Sequence, residues 1–347
     1  MLSTKGYAVL TAGAALRPFS FDRHDVGATD VLITISHCGI CHTDIHLARN
    51  EWGISTFPMV PGHEIVGTIS QVGTAVKNLQ VGDRVGVGCF VDSCRTCQAC
   101  RQGEEQYCET GMLMTYGGRD KFGGITQGGY STQIVVDENY VLKIPRALSS
   151  AGAAPLLCAG ITTYSPLHHW GIGKDHKLGI VGLGGLGHIA VKIAKALGAE
   201  VTVLSSSEQK RDDALKLGAT DFALTTHPQT FTKLQRHFHC ILNTVSAPID
   251  YNAYLNLLQT DGTMILVGVP DRPSPLAVFP LIFNRRRIAG SVIGGICETQ
   301  EMLNFCADHH IESDIETISI EHVNEAYERV LKGDVRFRFV IDVASLR

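Results

Sequence analysis

The sequence predicts an α/β chain of two domains, one mostly β and one built on a doubly wound parallel sheet. Three observations carry that expectation. The 347 residues exceed what one compact core usually holds. The run Gly182-Leu183-Gly184-Gly185-Leu186-Gly187 lies between a short apolar strand, Lys177 to Val181, and a helical stretch, His188 to Leu197, stopped by Gly198. Near residue 150 the texture changes, from short alternating segments broken by Gly and Pro to an alternation of strands and helices.

Taken in order, Asp30 to Ile35 and Gly67 to Val72 read as strands of the first domain, with breaks at Pro58 and Pro61. Val81 to Val87 reads as a turn feeding another strand. Beyond residue 150, strands are expected at Glu200 to Leu204, Asp221 to Leu224, His239 to Asn243, Thr263 to Val267 and Ile288 to Val292. Helices are expected at Gln209 to Leu217 and Tyr251 to Leu258. That alternation is the doubly wound pattern. The last stretch, with a helix at Glu321 to Leu331 and a strand at Arg338 to Val343, does not extend it and is expected to return to the first domain.

Composition narrows the function. With 44% hydrophobic and 18% charged residues and a net charge of -4, nothing draws the chain to nucleic acid or an anionic membrane. The run Arg285-Arg286-Arg287 is expected on a solvated surface or near a cofactor phosphate. No apolar signal core and no membrane-length apolar window are present, so a cytoplasmic enzyme is expected. In that setting eleven cysteines point to metal ligands before disulfides.

Cys94, Cys97, Cys100 and Cys108 fall at short regular intervals among polar residues. Four thiolates close a tetrahedral zinc and leave no position for substrate, so this cluster is structural. A second, scattered set is Cys41, His63 with Glu64, and Cys158. No local spacing brings these together, but two thiolates and an imidazole would leave a fourth position open. Cys38, Cys89, Cys240, Cys297 and Cys306 are expected as small apolar core residues. The glycine run, between strand and helix, has the context of a dinucleotide turn: its backbone approaches closely, and the helix N-terminus offers free N–H groups to a pyrophosphate.

Gly39 to His46, Pro61 to Glu64, the four-cysteine lobe, Thr126 to Tyr130, Leu157 to Thr162 and Gly182 to Gly187 resemble, in order, a zinc-dependent medium-chain alcohol dehydrogenase. The cinnamyl alcohol dehydrogenase branch is the more similar. The resemblance spans nearly the whole chain. It implies a GroES-like catalytic domain over residues 1–148 and 289–347, split around a Rossmann NADP-binding domain over 149–288. It also implies a homodimer.

By that resemblance Cys41, His63 and Cys158 bind a catalytic zinc, with Glu64 able to approach it, and Asp44 accepts the other ring N–H of His63. Thr43 and His46 would relay the proton, since imidazoles ordinarily titrate near about 6.5. NADP(H) would meet His42, Thr162, the glycine turn including Leu183 and Leu186, and Thr244, Val245, Gly268, Val269 and Ser291. Ser205, Ser206, Ser207, Lys210 and Arg211 stand where NAD-selective folds place an acid, and hydroxyls and cations there suit a 2′-phosphate. Glu208 is expected to point away. Leu47, Trp52, Cys89, Met114 and Ile296 are pocket candidates, Trp52 equally a core candidate. Met114 aligns where many plant relatives carry tryptophan, which favours a broad range of aromatic and medium-chain aldehydes and the corresponding primary alcohols. A redox-sensing protein would share the lobe and turn but would not need Thr43, His46 and Cys158 together. A zinc-free quinone reductase is opposed by Cys41, His63 and the lobe.

Overall fold

The computed structural model describes residues 1–120, 123–270 and 272–346. The chain opens with an antiparallel pair, β1 (Leu2–Ala8) and β2 (Arg17–Arg23). Then come β3 (Asp30–Gly39), α1 (His42–Ala48), β4 (Ile65–Val72), β5 (Arg84–Val87) and β6 (Phe90–Asp92). The run continues with α2 (Gln98–Arg101), β7 (Leu113–Met114), β8 (Gln133–Asp137), β9 (Leu142–Lys143), α3 (Ser150–Ala153) and α4 (Ala159–His169).

The alternating part holds β10 (Lys177–Val181), α5 (Gly187–Ala196), β11 (Glu200–Ser205), α6 (Arg211–Lys216), β12 (Asp221–Leu224) and α7 (Pro228–Lys233). It continues with β13 (Phe238–Asn243), α8 (Tyr251–Leu255), β14 (Leu258–Leu266), α9 (Phe279–Ile282) and β15 (Arg287–Gly290). The chain closes with α10 (Ile296–Asp308), β16 (Ile315–Ser319), α11 (Val323–Lys332) and β17 (Arg338–Asp342).

Two compact units result: Met1–Ile161 with Gly294–Arg347, and Thr162–Ile293. The first is built on a seven-stranded sheet in the order β16-β17-β3-β4-β5-β9, with β8 also pairing β3. β17 runs antiparallel to β3, Val340 opposite Gly39. The C-terminal strand is thus integral to the sheet that carries α1, as the broken alternation implied. The resemblance implied boundaries at 148/149 and 288/289, and the compact units divide at 161/162 and 293/294. The segment after residue 148 stays with the first unit because α3 and the turn that follows it pack against β3 and β4.

The second unit is a six-stranded parallel sheet, β12-β11-β10-β13-β14-β15, reversing direction of travel after β10. Leu178, Ile180, Val201, Val203, Ile241 and Ile265 are fully buried along it. Continuous apolar runs of this kind suit strands covered on both faces. Three elements differ from expectation. α8 ends at Leu255, and β14 begins at Leu258 rather than Thr263, because Leu258 pairs with Phe238 before a register shift. β15 stops at Gly290, and Val292 beyond it is exposed. In the arginine run, Arg286 is not solvated: its guanidinium is buried on the Leu258 and Pro280 carbonyls and the Asn256 amide oxygen.

Candidate metal centre and dinucleotide turn

α1 is the element that positions the first site. Cys41 stands at its N-cap in extended conformation, and the Asp44 carboxylate accepts the Cys41 backbone N–H at 2.8 Å. The side chain three residues into the helix thereby fixes the entry of the chain. His63 and Glu64 precede β4, and Cys158 precedes α4. Ligand atoms of Cys41, His63, Glu64 and Cys158, all buried, lie within 4.8 Å of one another.

The donor set fits zinc. Zn–S bonds of about 2.3 Å at a tetrahedral angle put two sulfurs about 3.8 Å apart, and the Cys41 and Cys158 Sγ atoms are 3.8 Å apart. His63 Nε2 is buried without a hydrogen-bond partner, a costly state that a metal would relieve. The hydrogen bond between the two thiols pulls Cys41 well below its ordinary pKa and holds Cys158 well above.

The environment of this set includes residues that no motif announced. Arg338, on β17, pairs with Glu64, and both are buried. Burial pushes the Glu64 carboxyl up to about 7, against the pull of Arg338. Gly39 is required beside them, because a Cβ there would overlap Glu64 Oε2. Asp44 was expected to accept the His63 N–H, but Asp44 Oδ1 stands 3.6 Å from His63 Nδ1, beyond hydrogen-bond length. Four other donors already occupy that carboxylate: Cys41 N–H, Gly62 N–H at 3.1 Å, Tyr116 O–H at 2.6 Å and Tyr130 O–H at 3.1 Å. Burial raises the Tyr116 phenol well above its ordinary pKa, so it remains a donor.

Thr43 and His46 are both on α1, three residues apart and hence on one face. His46 Nδ1 is hydrogen-bonded to Glu51, and its ring stacks on Trp52 at 5.0 Å. Trp52 is 39% exposed, so its core role is excluded. His42 is exposed, with its ring 5.5 Å from that of His46. Among the pocket candidates, Leu47 is buried on α1 and Cys89 is half-buried with its thiol toward the Leu157 carbonyl. Met114 lies on β7, and Ile296 opens α10 with its N–H on Glu105. Of the spare cysteines, Cys38, Cys240 and Cys306 are buried as expected. Cys297 is exposed, because it lies on the outer face of the first turn of α10.

The cysteine lobe is local. Cys94, Cys97, Cys100 and Cys108 meet within 4.8 Å, and Cys94 and Cys100 Sγ are 3.9 Å apart. Backbone N–H groups of Thr96 and Cys97 draw the Cys94 thiol down to about 5, the form a metal takes.

In the second unit the glycine turn joins β10 to α5. Gly182 takes φ +89°, and a Cβ there would stand 2.6 Å from Val245. Thr244 donates to the Val181 carbonyl at 2.8 Å, and Gly268 packs under Val245. Thr162 is buried in α4, Val269 is exposed, and Ser291 N–H bonds the Leu266 carbonyl. Lys210 Nζ reaches the Leu183 carbonyl at 2.9 Å, so the turn after β11 touches the glycine turn. Ser205 is buried, accepting the Ser207 N–H, while Ser206 is exposed. Glu208 pairs with Arg211 at 2.5 Å, and Arg211 also lies over the Phe222 ring. An i,i+3 pair on the first turn of the helix brings them together.

Comparison with known proteins agrees with this geometry. Residues 27–146 match the alcohol dehydrogenase GroES-like domain and residues 185–308 the zinc-binding dehydrogenase domain. The chain is 56% identical, over all of both chains, to NADP-dependent alcohol dehydrogenase C 1 of Mycolicibacterium smegmatis. A cinnamyl alcohol dehydrogenase from Sorghum bicolor superposes with a TM-score of 0.96 at 45% identity, covering 99% of each chain. One from Helicobacter pylori, complexed with NADP(H), gives 0.93 at 43%, also covering 99% of each. With a cysteine lobe, a buried thiolate–imidazole set and a glycine turn in the expected order, the chain belongs to the zinc-binding alcohol dehydrogenase family.

Proposed function

We propose that this protein interconverts aldehydes and primary alcohols with NADP(H), on aromatic and medium-chain substrates. The observation that carries the reading is the meeting of Cys41, His63, Glu64 and Cys158, from three separate stretches of chain, around buried ligand atoms. Zinc held by this set supplies Lewis acidity toward a carbonyl, and NADPH supplies the hydride. A second zinc in the cysteine lobe is structural.

The chain's own residues handle the proton. Thr43, two positions past a ligand, is placed to hydrogen-bond the reacting oxygen but has no useful acidity of its own. His46 is the ionisable group on the same helix face that can pass a proton on. Glu51 and Trp52 fix its ring, the first through Nδ1 and the second by stacking, so Nε2 is the atom left to exchange protons. Support for NADP(H) comes from the exposed Ser206 and from Lys210 against the glycine turn, where a carboxylate would repel a 2′-phosphate.

A homodimer through the outer edge of the parallel sheet is part of the reading. Beside the edge strand β15, Val278, Phe279, Ile282 and Phe283 are all more than half exposed, a concentration that fits an interface. No described helix is long and apolar enough to cross a membrane. The cytoplasm, which keeps such thiols reduced, is the compartment proposed.

The test combines metal analysis with NADPH consumption on benzaldehyde and cinnamaldehyde. Two zincs per chain and NADPH-dependent reduction are expected. Two zincs without turnover on any aldehyde would instead favour the redox-sensing alternative.

A further inference from the structure

The Asp44 carboxylate is completely buried, and its Oδ1 is the oxygen that faces His63 Nδ1, at 3.6 Å. Two other groups hold that same oxygen: Gly62 N–H at 3.1 Å and Tyr116 O–H at 2.6 Å. Gly62 immediately precedes His63 and restrains its backbone. Tyr116 does something different. Its ring lies nearly parallel to the His63 imidazole, 13° between planes and 5.7 Å between centroids, while its hydroxyl reaches past that ring to Asp44. One side chain therefore touches both the imidazole and the carboxylate that backs it.

Tyr116 is itself fixed and almost fully buried. Thr115 bonds the Gly88 carbonyl through its hydroxyl at 2.6 Å and the Cys89 carbonyl through its N–H, and Gly117 N–H bonds the Thr126 carbonyl. Tyr130 also donates to Asp44, but to Oδ2 and at 3.1 Å, and it makes no ring contact with His63. Each charge-assisted bond to a buried carboxylate is among the stronger kind. The shorter one is the one that also lies against the metal-binding ring.

We infer that Tyr116 is a positioning residue for the metal centre: its ring sets the plane of His63, and its hydroxyl holds Asp44 at the height that keeps Nε2 directed at the ligand set. The inference rests on the reading that Cys41, His63 and Cys158 hold zinc. Groups behind a metal-binding histidine orient it, and their loss typically weakens metal retention by about tenfold to a hundredfold. Nothing in the sequence around Tyr116 marks this role, because its partners are 53 and 72 positions away.

The experiment follows zinc leaving the purified holoenzyme into excess chelator. The Cys158→Ser protein gives the rate for the lobe alone. Tyr116→Phe should lose the second zinc about tenfold or more faster than the parent, the lobe's rate staying unchanged. Tyr116→Leu, which removes the ring contact as well, should lose it faster still. Tyr130→Phe should show a smaller effect. Cobalt(II) substituted at the site should change its absorption spectrum in Tyr116→Phe. Parental release and an unchanged cobalt spectrum in Tyr116→Phe would overturn the inference and make Tyr116 a packing residue. Equal release from Tyr116→Phe and Tyr130→Phe would overturn the specific role of the stacked ring. A parent holding only the lobe's zinc would overturn the metal reading, and this inference with it.

Discussion

Single side chains at this site divide into those that hold charge and those that move it. Glu64 and Arg338 are a buried pair, and breaking one strands the other in a medium that charges avoid. Arg338→Met should therefore cost about 3–5 kcal/mol of stability, measured by denaturant unfolding. Adding Glu64→Gln should recover part of that loss, because the remaining partner is then neutral. We propose Thr43 and His46 as the second kind. Thr43→Ala should lower turnover more than His46→Gln, since solvent can partly replace the outer group of a relay. General acid–base steps are worth roughly 10² to 10⁴ in rate. Removing His46 should also alter the pH–rate profile, and an unchanged profile in both reaction directions would discard the relay while leaving the metal set intact.

Elements carry the next distinctions. The cysteine lobe contains only the short α2 and a 3-10 turn at Glu105–Tyr107, so metal ligation is expected to be a main source of its order. Cys100→Ser should lower the melting temperature and soluble yield, with zinc analysis falling by one per chain. We propose that the turn after β11 governs the choice of cofactor. Ser205 is buried and Arg211 is already held by Glu208, which leaves the exposed Ser206 and Lys210 as the residues proposed to discriminate. Ser206→Asp should shift kcat/KM from NADPH toward NADH by about tenfold or more, since one lost charge-assisted bond contributes roughly 1.5–3 kcal/mol. A kcat/KM for NADH at or above that for NADPH in the parent protein would refute the NADP assignment.

At the scale of the whole molecule, the exposed apolar residues beside β15 set the expected assembly. Phe279 and Phe283 stack at 5.4 Å and are among the most exposed large apolar side chains described. Replacing both with Glu should yield a monomer by sedimentation, with the parallel sheet intact by circular dichroism. A monomeric parent would remove the dimer from the reading.

What the sequence determined by itself was whatever depends on neighbours in the chain. The cysteine lobe was legible because all four ligands lie between residues 94 and 108, where spacing alone nearly dictates the geometry. The glycine turn was legible because strand, turn and helix are contiguous, and most strands of the parallel sheet were legible because burial on both faces makes their runs apolar throughout. The scattered ligand set could be named only through a resemblance, since no periodicity connects residue 41 to residue 158. Tertiary structure alone decided what surrounds it. Arg338 reaches Glu64 because β17 returns to pair with β3 after the whole second unit, and Tyr116 reaches Asp44 across a loop. The same holds for Glu208 and Arg211, whose proximity was visible in sequence while the choice between a phosphate and each other was not. Buried charge and hydrogen-bond satisfaction are properties of packing, so the residues that meet them at this site are fixed by the folded chain and not by any local pattern.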